Sequence, residues 1–373
     1  MALTPREKEI LKSIQANPFI SQAELARKLG TSRAAVAGHV SGLVKKGWIV
    51  GRGYVLRTKV GVTVVGGANL DLKGKPLAPL RPRTSNPGVI SSTVGGVGRN
   101  IAHNLARLGV PVNLITAVGA DAAGERIRQE TRQAGVNLAS SLSVPGGRSG
   151  IYMALLEEDG DLALAVADMA VIDHLTPEYL RGKADLFRNS RLIVADANLR
   201  EEALDTLTEM ARRAEVPILV EPVSIQKAER LKSLLADVDY VTPNGEELEA
   251  LTGRVIRSDE ELGEAAAWLL DRGLKAVLVT LGPRGLYLAT PQVSRFLPPY
   301  PGEVADATGA GDALTAGFVY GLYQGFELEE AARYGLAAAS LTISSPETVN
   351  PRMSEEAVKQ LINKEKAPGG VTG

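Results

Sequence analysis

Apolar positions divide the chain into two unlike stretches. In the first fifty residues they recur at helical spacing: Ile10, Leu11 and Ile14, then Leu25, Ala26 and Leu29, then Val36, Val40, Leu43 and Val44. Residues three and four apart share a helix face, so this pattern predicts three short helices with those residues inward. The breaks agree. Pro18 ends the first helix, begun near Thr4. Ser21 caps the second, with Glu24 completing a capping box, and Gly30 ends it. Thr31 or Ser32 caps the third, Arg33 to Lys46. Trp48–Val50 and Tyr54–Leu56 then flank Gly51-Arg52-Gly53, a hairpin signal.

From residue 60 onward, short unbroken apolar runs alternate with helical patterns. The runs are Val62–Val65, Val112–Val118, Leu192–Ala195, Pro217–Val220, Val238–Val241 and Ala276–Leu281. That alternation predicts an α/β body, a doubly wound and mainly parallel sheet with ligands beyond the carboxyl ends of its strands. Gly150 to Met169 differs: two alternating strands meet at Asp159-Gly160. They read as part of a small β lid, or as a plain surface hairpin. The expected domains are residues 1–58, 59–363 and a frayed tail, 364–373.

Composition changes the picture in two ways. The chain of 373 residues is 45% hydrophobic and 23% charged and has no cysteine, which excludes disulfides and thiolate metal sites. Its start lacks the apolar core of a signal peptide, and no apolar run reaches membrane-spanning length, so a soluble cytoplasmic protein is expected. Charge is uneven. Residues 1–59 hold eleven Lys/Arg against three Glu, while the remainder holds 31 basic and 40 acidic residues. A basic module on an acidic body points to a nucleic-acid contact at one end.

The most informative segment is Asp306-Ala307-Thr308-Gly309-Ala310-Gly311-Asp312, which runs into an apolar helix. Free N–H groups and the dipole at a helix start favour an anion. A carboxylate there would repel a bound phosphate, unless Asp312 is a base that takes a proton from an incoming hydroxyl while Gly309, Ala310 and Gly311 hold the phosphoryl group. The plainer alternative is an acidic helix cap after a flexible turn. No Gly-x-x-x-x-Gly-Lys-Ser/Thr occurs, and Gly96-Val97-Gly98 lacks the third glycine of a dinucleotide fold.

Three further segments stand in order with it: Gly66-Gly67-Ala68-Asn69-Leu70-Asp71 after a strand, Gly95-Gly96-Val97-Gly98-Arg99-Asn100 opening a helix, and Asn244-Gly245-Glu246-Glu247. Together the four resemble the signatures of the ribokinase-like sugar and nucleoside kinases, the PfkB family, over about residues 60 to 350. The resemblance implies ATP-dependent phosphorylation of a primary hydroxyl with Asp312 as base. It gives Asn244 and Glu247 to Mg²⁺, through water, and Asp306 and Thr308 to a monovalent cation such as K⁺. It gives Thr280, Gly282 and Gly285 to the nucleotide, although a β-turn explains those glycines as well. Asn69, Asp71, Gly95, Gly96 and Asn100 would border the acceptor, and the lid would exclude water that competes for the phosphoryl group. Val97 replaces a lysine usual in ribokinases. With Ser85-Asn86-Pro87-Gly88, Val194–Asn198 and Glu221–Ser224, the pattern looks like the pseudouridine kinases, with Ser85 and Asn86 placed to read a nucleobase edge; Glu221 stands where that subgroup has Asp. A free sugar, another nucleoside and a sugar phosphate remain alternatives.

The N-terminal pattern resembles a winged helix-turn-helix. Its third helix would enter the major groove of double-stranded DNA with Ser32, Arg33 and His39, and Arg52 would tip the wing. A protein-interaction module of the same shape is the alternative. A homodimer is expected. The chain reads as a kinase carrying a DNA-binding module, or as a regulator whose kinase-like body senses a ligand.

Overall fold

The computed structural model describes residues 3–50 and 59–366. The chain divides into two compact units, Met1–Val60 and Gly61–Gly373.

In the first unit, helices span Pro5–Ala16, Gln22–Lys28 and Arg33–Lys45. Thr4 and Ser21 form capping boxes with Glu7 and Glu24, and Ser32 rather than Thr31 caps the third helix. Ile10, Ile14, Leu25, Val36, Val40 and Leu43 form the buried core. Val44 departs from the expected inner face and is 51% exposed. At about 100° per residue Val44 lies about 40° beyond Val40 and about 100° from Leu43, at the outer edge of the stripe and not within it. Lys46 reaches back to Glu7 at 2.8 Å and ties the end of the third helix to the first. The second hairpin strand and Arg52 lie outside the described residues.

The second unit is built on an eight-stranded sheet: β1 (Val62–Val65), β4 (Val112–Ile115), β9 (Leu192–Asp196), β10 (Ile218–Glu221), β11 (Tyr240–Val241), β12 (Ala276–Thr280), β13 (Leu286–Ala289) and β14 (Ser294–Leu297). The spatial order is β14-β13-β12-β11-β10-β9-β1-β4. All neighbours run parallel except β12–β13 and β13–β14. An apolar core packs each face, which is why β1 and β9 are buried at every position. From β1 the chain moves to β4 on one side, and β9 then pairs on the other. The loops after β1 and β9 therefore part, and such a switch point leaves a crevice.

The apolar run Val112–Val118 is two strands, not one. It breaks at Thr116, and β5 (Ala117–Gly119) leaves the main sheet to pair with β6 (Leu142–Val144). The lid is larger than its predicted hairpin. Strands β7 (Gly150–Leu156) and β8 (Leu162–Asp168) join β2 (Asn69–Pro76) and β3 (Gly88–Gly95) in the order β3-β2-β7-β8. Two acceptor motifs are thus the roots of lid strands. None of the described helices is long and apolar enough to cross a membrane.

Candidate active site

Four chain segments meet at the crevice. Gly309 caps the helix Ala310–Gln324 with φ 82°, and a Cβ there would lie 2.2 Å from the Thr348 carbonyl oxygen. Only glycine fits, because both the left-handed backbone and the close approach exclude a side chain. The Ala310 N–H closes a turn onto Ala307 at 3.2 Å. No described backbone acceptor takes the Gly311 and Asp312 N–H groups, so these two donors are left open at the helix start.

Asp312 lies in the first turn of this helix, and its Oδ2 accepts the Asn100 side-chain N–H at 2.8 Å. Its carboxyl is pushed up to about 7, first by burial and then by the charges of Asp196 and Asp71, against the Asn100 hydrogen bond. A base with that value is matched to neutral pH. We expect kcat/KM to fall as pH drops below about 7, following one proton. A flat profile from pH 8 to 5.5 in steady-state assays would remove Asp312 as the ionisation seen.

Asp71 sits at the lid root. Asn69 donates its side-chain N–H to it. Burial pushes the Asp71 carboxyl up, opposed by the Asn69 bond and by the charges of Lys73 and Arg99. A Cβ on Gly95 would lie 2.0 Å from Asp71 Oδ2, so the glycine motif leaves that carboxylate room. On the same strand Lys73 pairs with Asp306 at 3.6 Å, linking the lid to the loop before the helix. Asp306 also accepts the Thr308 N–H at 2.8 Å.

Asn244 and Glu247 form a reciprocal capping box: Asn244 Oδ1 accepts the Glu247 N–H at 2.8 Å, and Glu247 Oε2 accepts the Asn244 N–H at 2.9 Å. Glu247 Oε1 is left over. Its carboxyl is raised mainly by burial, a charge that a nearby cation would compensate. Thr280, at the end of β12, bridges to Asn244. Gly282 and Gly285 turn the chain after it with φ of 56° and 87°. Ser85 and Asn86 stand apart in an exposed loop between β2 and β3. The Asn86 side chain binds Arg81 N and O at 2.8 and 2.9 Å, so it closes its own loop. Ser32 and Arg33 are exposed, and His39 is half-buried.

The model of the pfkB family of carbohydrate kinases matches residues 60–355. The chain belongs to that family. Residues 3–50 match a winged helix-turn-helix DNA-binding domain. A pseudouridine kinase of Escherichia coli K12 is 35% identical over 308 residues, covering 82% of this chain and 98% of that protein. An E. coli K12 protein described as an uncharacterized sugar kinase is 37% identical over 358 residues, covering 96% of this chain and 98% of that one. Among solved structures, Arabidopsis thaliana ribokinase complexed with ribose and ATP is similar with a TM-score of 0.75 and 26% identity, covering 82% of this chain and 99% of that one. As a pfkB kinase the chain is a phosphotransferase acting on a sugar or nucleoside hydroxyl.

This pfkB site also contains residues to which the motifs gave no role, although Asp196 and Glu221 lie in segments already singled out in the sequence. Asp196, the last residue of β9, is fully buried. Its Oδ2 accepts the N–H groups of Gly67 and Gly98 at 2.8 Å each, and its Oδ1 that of Asn198 at 3.0 Å. Burial raises its carboxyl while these three donors pull it down. It staples two glycine motifs that lie thirty residues apart. An acid closing an otherwise apolar strand, Leu192-Ile193-Val194-Ala195-Asp196, was the available signal. Glu221 closes β10 in the same way, accepting hydroxyl donors from Thr242 and from Thr315 on the base's own helix. Its carboxyl stands well above the usual range, from burial first and then from Glu247 and Asp312. After it, Val223 has φ 70° inside a tight turn closed by Ser224 N–H to Pro222 O at 2.8 Å. Such strain in a β-branched residue persists where the surroundings enforce it. The turn delivers half-buried Lys227, which donates to Asn198 Oδ1.

Proposed function

We propose that the chain transfers the γ-phosphoryl group of ATP to the 5′-hydroxyl of a nucleoside, with pseudouridine as the acceptor. The observation that carries the chemistry is Asp312, raised to about 7 and held by Asn100 beside the free N–H groups of a helix start. Its unbonded Oδ1 takes the proton of the hydroxyl as that oxygen bonds to phosphorus and ADP leaves. The Gly311 and Asp312 N–H groups stabilise the charge on the moving phosphoryl oxygens. Asn244 and Glu247 would hold Mg²⁺, whose charge offsets that of the phosphates. For Asp306, Lys73 supplies the positive charge that the resemblance assigns to a monovalent cation.

Asp71 suits a ribose diol, since a carboxylate accepts two hydroxyl donors. Across the switch-point crevice, Asn198 and Lys227 offer N–H donors that suit the carbonyls of a nucleobase. The 35% identity to a pseudouridine kinase supports that acceptor. A sugar acceptor is the second reading, favoured by the relative that matches 96% of the chain. ATP consumption with Mg²⁺ across pseudouridine, uridine, cytidine, adenosine, inosine, ribose and fructose 6-phosphate tests both. Preferred turnover of pseudouridine supports the first reading; preferred turnover of ribose replaces it with the second. Ligand binding without any turnover would leave a sensor.

The basic N-terminal unit is proposed to bind double-stranded DNA through Ser32 and Arg33 at the exposed start of its third helix. Arg33→Glu is expected to weaken binding of a mixed-sequence duplex about tenfold and to flatten its salt dependence. Unchanged affinity in a fluorescence titration would favour the protein-interaction reading. The outer lid face leaves Met153, Leu164 and Val166 at 53, 63 and 60% exposure around a groove of about 370 Å³. We assign it to a second copy of the chain. A monomer in sedimentation would refute this.

A further inference from the structure

Arg99 is costly where it stands. It is 4% exposed, and no carboxylate ion-pairs with it among the described residues. It lies in the first turn of the helix Val97–Arg107, where the helix dipole disfavours a cation. A buried guanidinium with no carboxylate in contact, only the more distant charges of Glu130 and Asp71, is expensive, so its neighbours indicate what it does. Nη1 donates to the Val94 carbonyl at 3.1 Å and to Asn100 Oδ1 at 3.2 Å, and Nε donates to Thr131 Oγ1 at 3.4 Å.

We propose that Arg99 is a positioning residue for the base: it fixes the Asn100 amide so that its N–H end meets Asp312. The two ends of an asparagine amide have nearly the same shape and opposite hydrogen-bonding sense. Turned the other way, Asn100 would set a carbonyl oxygen against Asp312 Oδ2. Arg99 only donates, so it accepts only the oxygen end beside it. The amide nitrogen is then left at 2.8 Å from Oδ2, and Asp312 keeps Oδ1 for the hydroxyl. The bond to Val94 adds a second register. Val94 precedes Gly95, which packs on Asp71, so one guanidinium aligns the lid root, the amide and the base.

This inference rests on the reading of Asp312 as base, and the experiment separates the two. The full chain is assayed with Mg²⁺-ATP, using pseudouridine and ribose as acceptors. Arg99→Met, Asn100→Ala and the double variant are compared, beside Asp312→Asn. Arg99→Met should lower kcat by about tenfold to a hundredfold, the scale set by a misplaced catalytic group, with KM for ATP within about twofold. The double variant should be no slower than Asn100→Ala alone, because Arg99 acts through Asn100. Losses that multiply instead give Arg99 a merely structural role. Arg99→Lys keeps the charge and loses the planar fork, so it should stay slow; near-normal turnover would mean that charge, not aim, matters. If Arg99→Met does not fold, the lysine variant carries the same cycle. Retained turnover in Asp312→Asn would overturn the base itself, whereas an inactive Asp312→Asn with multiplying losses would overturn only the positioning.

Discussion

Asp312→Asn lowers turnover by roughly a thousandfold and at the same time makes the chain more stable above neutral pH. The first effect is the loss of the group that takes the hydroxyl proton, for which general-base catalysis contributes about 10²–10⁴-fold. ATP affinity should survive, because the helix-start N–H groups do not depend on the carboxylate. The second effect follows from the raised pKa. An aspartate at about 7 in the fold and near 3.8 unfolded holds its proton more tightly when folded. Its contribution to stability is therefore full below about pH 4 and lost as pH rises through 7. Ionised Asp312 costs the fold at most about 4 kcal/mol at pH 8. Asparagine keeps the shape and the contact to Asn100 without the charge. The variant should unfold at higher denaturant at pH 8 by about 2–4 kcal/mol, and the gap should close toward pH 4. Near-normal turnover in the variant would take Asp312 out of the mechanism. Equal stability at pH 8 would mean that the crevice solvates the carboxylate far better than its burial implies.

Asp196→Ala is the largest expected loss of stability. The substitution leaves the N–H groups of Gly67, Gly98 and Asn198 without an acceptor, at about 1–3 kcal/mol each. Removing a buried carboxylate returns part of this, so a net loss of about 3–5 kcal/mol is expected in urea unfolding. The functional effect should be one-sided. The segments that Asp196 joins lead into Asn69, Asp71, Gly95 and Asn100, the residues proposed to border the acceptor. KM for the acceptor should rise about tenfold or more while KM for ATP changes little. An equal rise in both would mean that Asp196 supports the fold at large and not the acceptor pocket. Asp196→Asn keeps one acceptor oxygen and should fall between.

Much of this molecule was legible because local chemistry repeats itself. Capping boxes at Thr4 and Ser21, unbroken apolar strands and glycine motifs at strand ends are set by residues within a few positions of one another. Their spacing carries the same information in the sequence as in the fold. The sequence therefore determined the three-helix unit, the parallel sheet and the order of the motifs. The lid's full extent escaped it, because the polar strand β2 finds its partner β7 some eighty residues later, and β8 joins only through β7. Val44 escaped for the opposite reason: an apolar residue beside a helical stripe need not be in it.

Tertiary structure alone decided the electrostatics. Asp196, Glu221 and Arg99 stand in segments the sequence marks, but nothing local announces what each of them, or Lys227, holds. They matter because parallel strands place their carboxyl ends side by side, so acids from two strand ends, Asp196 and Glu221, gather near Asp71 of the lid and Asp312 of a distant helix. Burial first, and then the charges of Asp196 and Asp71, raise Asp312 to about 7. A pKa depends on distances through space and on lost solvent, and neither is a property of neighbours in the chain. The sequence supplied the candidate motifs; the packing set their burial, their orientation and the partners that hold them.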